Sequence, residues 1–166
     1  MNKSLSLINF NIEKITTSDL EEIYEIEKRC YPNPWNYQSL KNELNIPFAF
    51  HYKFKINSKI AGYCFCFFCS DNLHINNFCI DKKYQNKGNG FIFLINLIMK
   101  AKKNGVRTLT LEVDINNSKA VNLYEKAGFK KDKLIRNFYS NGNDAQRMYL
   151  NIYGQIQNLS LKPQNL

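Results

Sequence analysis

Six residues, Gln85-Asn86-Lys87-Gly88-Asn89-Gly90, place two glycines where a strand pattern over 73–80 gives way to the longest apolar helical stretch, 91 to about 103. This handover constrains the fold most. A strand feeding a helix through such a turn belongs to a layered α/β domain with a mixed sheet. It also aims successive backbone N–H groups into one concavity at the positive end of a helix dipole, which is a seat for phosphate oxygens. Gly88 and Gly90 leave room for a pyrophosphate, and glycine takes the unusual φ that such a turn demands. The turn lacks both the Rossmann G-x-G-x-x-G and the G-K-[ST] ending of a P-loop, which removes the two commonest phosphate-loop readings.

The rest of the chain is built outward from that turn. Ser18-Asp19-Leu20-Glu21 has the spacing of a capping box, with Ser18 as cap and Glu21 reaching back, and predicts a helix to about Cys30. Tyr31-Pro32-Asn33-Pro34-Trp35 cannot continue it, because its prolines remove donors and restrict the residues before them. A short helix over 37–45 follows. Runs at 51–56 and 59–68 flank Asn57-Ser58 as a hairpin, and 107–113 alternates as a strand after a stop at Asn104-Gly105. Asn117 or Ser118 caps a helix that ends at Gly128, and two last strands join around Asn141-Gly142. The expected order is strand, two helices, three strands, helix, strand, helix, two strands. We expect one domain over 1–150 and a patternless tail over 151–166.

At 166 residues, with 44% hydrophobic and 14% aromatic residues, the chain is long enough to bury a core without disulfides. A net charge of +9 favours an anionic partner, yet the lysines come in ones and twos (Lys82 and Lys83, Lys102 and Lys103, Lys130 and Lys131) rather than in one basic stripe. No direct nucleic-acid binding is therefore expected. Five cysteines lack metal-ligand spacing, and Cys66-x-x-Cys69 would put its two thiols on opposite faces of a strand; the expectation is small buried hydrophobes, reduced thiols in a cytoplasm, and no metal. The first eleven residues form no signal-peptide core, and the apolar stretches at 63–69 and 91–99 fall far short of the ~20 residues a bilayer needs.

Two separated segments then resemble a known family. Gln85-x-x-Gly88-x-Gly90, after Asn77-Phe78-Cys79-Ile80-Asp81 and before an apolar helix, is similar to the pyrophosphate signature of the GNAT acetyltransferase superfamily. Leu111-Glu112-Val113, then Asn117, then Asn122-Leu123-Tyr124-Glu125-Lys126-Ala127-Gly128-Phe129 resembles its second signature. Within the superfamily the chain is most similar to the bacterial ribosomal-protein alanine N-acetyltransferases, through Ile26-Glu27 with Pro34-Trp35, Leu111-Glu112-Val113 with Tyr124, and Ile135-Arg136-Asn137-Phe138-Tyr139 with Asp144-Ala145.

The resemblance implies a GNAT fold: a single mixed, mostly antiparallel sheet of about six to seven strands flanked by about four helices. It implies that acetyl-CoA is the co-substrate, held by Phe78, Cys79, Ile80, Gln85, Asn86, Lys87, Gly88, Asn89, Gly90, Phe91 and Asn117. Glu112 and Tyr124 would be base and acid, and Pro34, Trp35, Arg136 and Tyr139 would line the acceptor site. Asn86 and Phe91 stand where the family commonly has arginine, which weakens the phosphate seat unless Lys87 or Lys83 compensates. The acceptor implied is a protein N-terminus, on a small-subunit ribosomal protein, and the enzyme a cytoplasmic monomer.

The residues themselves make sense of those roles. Leu109, Leu111 and Val113 share one strand face, leaving Thr108, Thr110 and Glu112 on the other, and a glutamate in mid-strand is locally unfavourable. Amine acetylation needs a neutral amine, and a carboxylate can take its proton directly or through water. Tyr124 lies on a helical stripe with Ala120 and Ala127; it suits core packing, or a phenol that protonates the leaving thiolate. Two rivals stay open on sequence: an acetyltransferase acting on lysine or a small-molecule amine, and a catalytically silent basic domain that binds acyl-CoA or RNA.

Overall fold

The computed structural model describes residues 9–153. Seven strands form one sheet, β1 (Phe10–Lys14), β2 (Tyr52–Ile56), β3 (Lys59–Cys69), β4 (Asn72–Ile80), β5 (Thr108–Asp114), β6 (Lys130–Ile135) and β7 (Ala145–Asn151), in the order β1-β2-β3-β4-β5-β7-β6. The four helices are α1 (Leu20–Cys30), α2 (Tyr37–Leu44), α3 (Asn89–Lys103) and α4 (Ser118–Lys126). β1 with β2, β2 with β3, β5 with β7 and β6 with β7 pair antiparallel, and β4 with β5 pair parallel. The expected mixed, mostly antiparallel sheet and helix number are those observed. The chain clusters into two compact units, one running to Phe65 and taking in Asn77–Asn89, the other made of Cys66–Asn76 and the chain from Gly90 onward.

In the first unit, Ile15, Leu20, Ile23, Ile26, Leu40, Ile60, Tyr63, Phe65 and Cys79 form a buried apolar cluster, to which α1 contributes the stripe Leu20, Ile23 and Ile26. The start of α1 differs from expectation. The box is closed by Asp19, whose carboxylate accepts from the Thr16 backbone N–H at 2.7 Å and from the Thr16 hydroxyl at 2.8 Å, and Ser18 and Glu21 are not its members. The buried Lys53 ammonium on β2 explains the shift, since it binds both Asp19 oxygens at 2.7 Å and fixes that carboxylate at the helix entrance. α2 starts on Asn36, whose Oδ1 accepts from Ser39 N–H at 2.8 Å, and stops before Pro47 as expected.

In the second unit, β5 alternates as the sequence predicts, with Leu109, Leu111 and Val113 buried and the residues between them half-exposed. Full register joins it to β7, pairing Thr110 with Tyr149 and Glu112 with Arg147, while Asn72 and His74 of β4 lie beside Thr108 and Thr110. β6 is an edge strand, and its lysines and Asp132 are exposed, which suits an edge that must not recruit another strand. The link from β6 to β7 spans residues 136–144 rather than a two-residue turn; Asn141-Gly142 marks its tip, with Gly142 N–H donating to Tyr139 O at 2.8 Å.

Two further expectations change. Cys69 is exposed at the end of β3, unlike buried Cys64, Cys66 and Cys79, because the strand ends there. The tail boundary moves outward: Asn151 closes β7 and Ile152 is buried with its N–H on Arg107 O at 2.9 Å, while 1–8 and 154–166 lie outside the described residues. Among the described residues no helix is long and apolar enough to cross a membrane, and no group of three or more His, Cys, Asp or Glu is placed to hold a metal ion.

Candidate active site

The end of β4 and the turn after it are held by their own polar side chains. Tyr31 OH donates to Phe78 O at 2.9 Å and lies 3.1 Å from Asn77 Oδ1, and Ile80 O accepts from Gln85 Nε2 at 2.7 Å and from Cys30 Sγ at 3.4 Å. Asn89 Nδ2 donates to Tyr84 O at 2.8 Å, and Lys87 Nζ to Lys83 O at 3.1 Å. The Gln85, Lys87 and Asn89 side chains therefore build the turn itself. Asn89 Oδ1 is buried with no hydrogen-bond partner, an acceptor at the first residue of α3.

Asn86 and Gly88 both adopt left-handed backbone, at φ 59° and φ 79°. Asparagine tolerates that region better than arginine would, so its presence at 86 is conformationally sound. Phe91, the second departure, carries the Lys126 ammonium 4.8 Å above its ring centre, so a cation stands beside that position after all. Asp81 anchors the turn by accepting from Arg29 Nη2 at 2.7 Å. Burial pushes its carboxyl up, but the Arg29 and Lys83 bonds outweigh this and leave it below the ordinary aspartate value.

Glu27 was legible only through the resemblance, and the structure gives it a physical role in the first unit. It is 1% exposed. Its Oε1 accepts from Trp35 N–H at 2.9 Å; its Oε2 accepts from Tyr63 OH and from Asn77 Nδ2, the latter at 3.2 Å. Burial raises its carboxyl above the usual glutamate value, against those hydrogen bonds. One carboxylate thus ties α1 to the aromatic loop, β3 and the last turn of β4. Trp35 is half-buried, with its ring 6.1 Å from that of Phe65, whereas Pro34 is exposed.

Gly62 escaped sequence reading. A Cβ there would lie 2.5 Å from Cys79 O and 2.6 Å from Ile80 Cδ1, so only glycine lets β3 pass the end of β4 this closely. An isolated glycine inside a strand pattern was the available signal.

In the second unit Glu112 stands in the middle of β5 with its side chain 9% exposed. Arg147 Nε donates to its Oε1 at 2.7 Å, and His74 Nε2 lies 3.1 Å from its Oε2. Neither partner was expected from sequence. The Glu112 carboxylate can only accept, so the His74 nitrogen facing it, Nε2, carries a proton. Behind the ring, Thr108 OH donates to Asn72 Oδ1 at 3.0 Å, Asn72 Nδ2 donates to Thr110 Oγ1 at 2.9 Å, and Thr110 Oγ1 lies 2.9 Å from His74 Nδ1. In the neutral imidazole Nδ1 accepts from that hydroxyl. Burial lowers the imidazole's pKa; the Glu112 carboxylate raises it and Arg147 lowers it, with a net position below the usual histidine value. His74 is therefore neutral at pH 7.

Tyr139 is brought to the same place. Its phenol is pushed up to about 12 by burial first, then by the charges of Asp114 and Glu112. Asp114 also accepts from Asn143 Nδ2 at 2.7 Å, which anchors the 136–144 link that carries Tyr139. Arg136, by contrast, is exposed just beyond β6. Tyr124 is buried on α4, its ring 5.7 Å from Phe129. Asn117 caps α4, accepting from Ala120 N–H at 3.1 Å, so that side chain has a structural duty whatever it contacts besides.

Residues 20–129 match the model of the acetyltransferase (GNAT) family. The chain is 37% identical over 128 residues to the ribosomal protein bS18-alanine N-acetyltransferase of Haemophilus influenzae, covering 77% of this chain and 86% of that protein. It is similar to the crystal structure of the ribosomal-protein-S18-alanine N-acetyltransferase of Escherichia coli, with TM-score 0.81 and 31% identity over 95% of this chain and 99% of that one. A Bacillus subtilis acetyltransferase solved in complex with CoA shares the fold, with TM-score 0.70 at 21% identity, over 87% of this chain and 98% of that one.

Proposed function

The chain belongs to the acetyltransferase (GNAT) family, and on that premise we propose that it acetylates the N-terminal α-amine of an alanine-initiated protein, a small-subunit ribosomal protein, using acetyl-CoA in a ternary complex. In the first unit, the backbone of Phe78, Cys79 and Ile80 and the turn from Gln85 through Asn86, Lys87, Gly88 and Asn89 serve the pantetheine and phosphates. Gly90, Phe91 and Asn117 complete that set. Left-handed Asn86 and Gly88 and the start of α3 supply the N–H groups suited to polyphosphate. In the second unit, Glu112 takes the proton of the acceptor ammonium, the freed nitrogen lone pair attacks the thioester carbon, and Tyr124 protonates the departing CoA thiolate. Pro34, Trp35, Arg136 and Tyr139 serve the first residues of the acceptor.

The observation that carries this reading is the occupied charge of Glu112. With Arg147 on one oxygen and the His74 N–H aimed at the other, the carboxylate has no unbalanced negative charge with which to hold a polyamine or a lysine ammonium. A site with one such carboxylate suits an acceptor that loses its proton readily. About 14% of an α-amine of pKa near 7.8 is neutral at pH 7, against about 0.04% of a lysine at 10.4, a head start of roughly 350-fold. On this reading the enzyme works as a monomer in the cytoplasm, away from any membrane and without direct nucleic-acid contact.

The test is competition. An alanine-initiated peptide is offered with acetyl-CoA beside the same peptide bearing a blocked N-terminus and an exposed lysine, and beside a polyamine; CoA release is followed and the acetyl group located by mass spectrometry. Acetylation of the α-amine is expected. Preferential modification of lysine or polyamine would refute the assignment of the acceptor.

A further inference from the structure

The carboxylate assigned the proton is not a free glutamate. It occupies a strand face shared with other polar side chains, several of which are linked by hydrogen bonds that end on it. On β5 these are Thr108 and Thr110, with Asp114 beyond; on β4, Asn72 and His74; on β7, Arg147 beside Tyr149; and Tyr139 adds its phenol. On β3, Phe67 packs against the His74 imidazole with ring centres 5.2 Å apart, which limits its rotation. Among these groups Arg147 brings a full charge to one Glu112 oxygen, and the His74 imidazole faces the other.

We propose that His74 and Arg147 are positioning residues for acetyl transfer, clamping the two oxygens of Glu112 so that its remaining lone pairs face the acceptor amine. The proposal rests on the reading of Glu112 as proton acceptor. The two clamps differ in kind. Arg147 contributes a full charge at 2.7 Å, a charge-assisted bond that fixes one oxygen. His74 contributes an N–H at 3.1 Å, which fixes the second oxygen. Thr110 lies 2.9 Å from the other imidazole nitrogen, which holds the ring with Nε2 toward the carboxylate. In the step itself, one N–H bond of the acceptor breaks, the proton becomes the carboxylic proton of Glu112, and the nitrogen keeps the electron pair for the thioester carbon.

The experiment measures kcat and kcat/KM against pH at saturating acetyl-CoA for His74→Phe, His74→Gln, Arg147→Met, Arg147→Lys and Glu112→Gln, with the acceptor the competition assay selects. Thermal unfolding and acetyl-CoA binding are measured alongside. His74→Phe and Arg147→Met are expected to lose about tenfold or more in kcat at nearly unchanged acetyl-CoA affinity. His74→Gln, which keeps an N–H donor, and Arg147→Lys, which keeps the charge, should recover most of the loss. In the Glu112→Gln background, His74→Phe should add less than about twofold, since its route of action is gone. Wild-type kcat in His74→Phe and Arg147→Met, with Glu112→Gln impaired, sinks the clamp alone. Wild-type turnover in Glu112→Gln sinks the base assignment and the clamp with it. If the Phe or Met variant does not fold, equal losses in the Gln and Lys variants overturn the proposal.

Discussion

Replacing Gly62 by alanine tests whether the close pass of β3 over the end of β4 positions the residues assigned to acetyl-CoA. The added methyl meets a backbone oxygen, Cys79 O, at 2.5 Å, where ordinary contact begins at 3.4 Å. The end of β4 must therefore retreat by about 0.9 Å, because a carbonyl in a strand has no rotamer to change. Asp81 N–H, bonded to Ala61 O at 2.9 Å, opposes the retreat and stretches with it. Overpacking of this kind costs about 1–3 kcal/mol. In a chain of this length that lowers Tm by about 2–12 °C, since each kcal/mol is worth about 2–4 °C. The displaced backbone of Cys79 and Ile80 should also raise KM for acetyl-CoA several-fold. Gly142→Ala is the control: it has a positive φ of 82°, which Gly62 does not, but meets nothing within 4 Å, so it should cost stability without touching acetyl-CoA. Thermal unfolding and acetyl-CoA titration of both variants decide the matter. A Gly62→Ala protein as stable as wild type and binding acetyl-CoA equally well refutes the close-approach argument.

Gly88→Val forces a β-branched residue to φ 79° in open space, and is expected to weaken acetyl-CoA binding at least about tenfold, or about 1.4 kcal/mol, with the fold retained; calorimetric titration checks it. Tyr124→Phe should lower turnover on the order of 10²-fold in single-turnover kinetics, since the packing against Phe129 survives and only the proton is lost. Stability should fall as pH drops below about 6.5, where unfolded histidine begins to bind protons. His51 and His74 both sit below their ordinary value, each chiefly through burial, so their neutral forms stabilise the fold above that pH and the contribution is lost as pH falls through their folded values. Denaturant unfolding of His51→Gln at pH 7 and pH 5 should show a shallower loss than wild type.

Local signals carried most of the fold into view. The glycine turn, the alternation of β5, the Asn117 cap and the apolar α3 are each decided by residues a few positions apart and stand close to where they were expected. The exception is that α3 begins at Asn89 rather than 91, so Gly90 is helical and only Gly88 of the two glycines takes left-handed backbone. Expectations moved where a partner from far along the chain intervened. The α1 box closed on Asp19 instead of Ser18 and Glu21 because Lys53, 34 residues away, holds that carboxylate. The last hairpin opened into a nine-residue link because Asp114 on another strand takes Asn143, and its other oxygen takes Asn116 N–H. No short window of sequence contains both Asp19 and Lys53, or both Asp114 and Asn143.

The candidate site obeys the same rule. Glu112 could be singled out from one strand, as a charge where alternation and propensity argue against one. His74 and Arg147 could not, since nothing local distinguishes a histidine on β4 or an arginine on β7 from a solvated side chain. What makes them partners is register: β7 must pair with β5 so that 147 opposes 112, and β4 must run parallel to β5 so that 74 neighbours 110. A slip of one residue in either pairing would turn Arg147 or His74 to the opposite face and leave a nearly buried carboxylate without its cation. The burial of Met148 and Leu150 opposite Leu111 and Leu109 forbids that slip of β7, because it would turn both apolar side chains out of the core. The hydrophobic pattern that fixes the sheet therefore also fixes which side chains meet the residue proposed to take the proton.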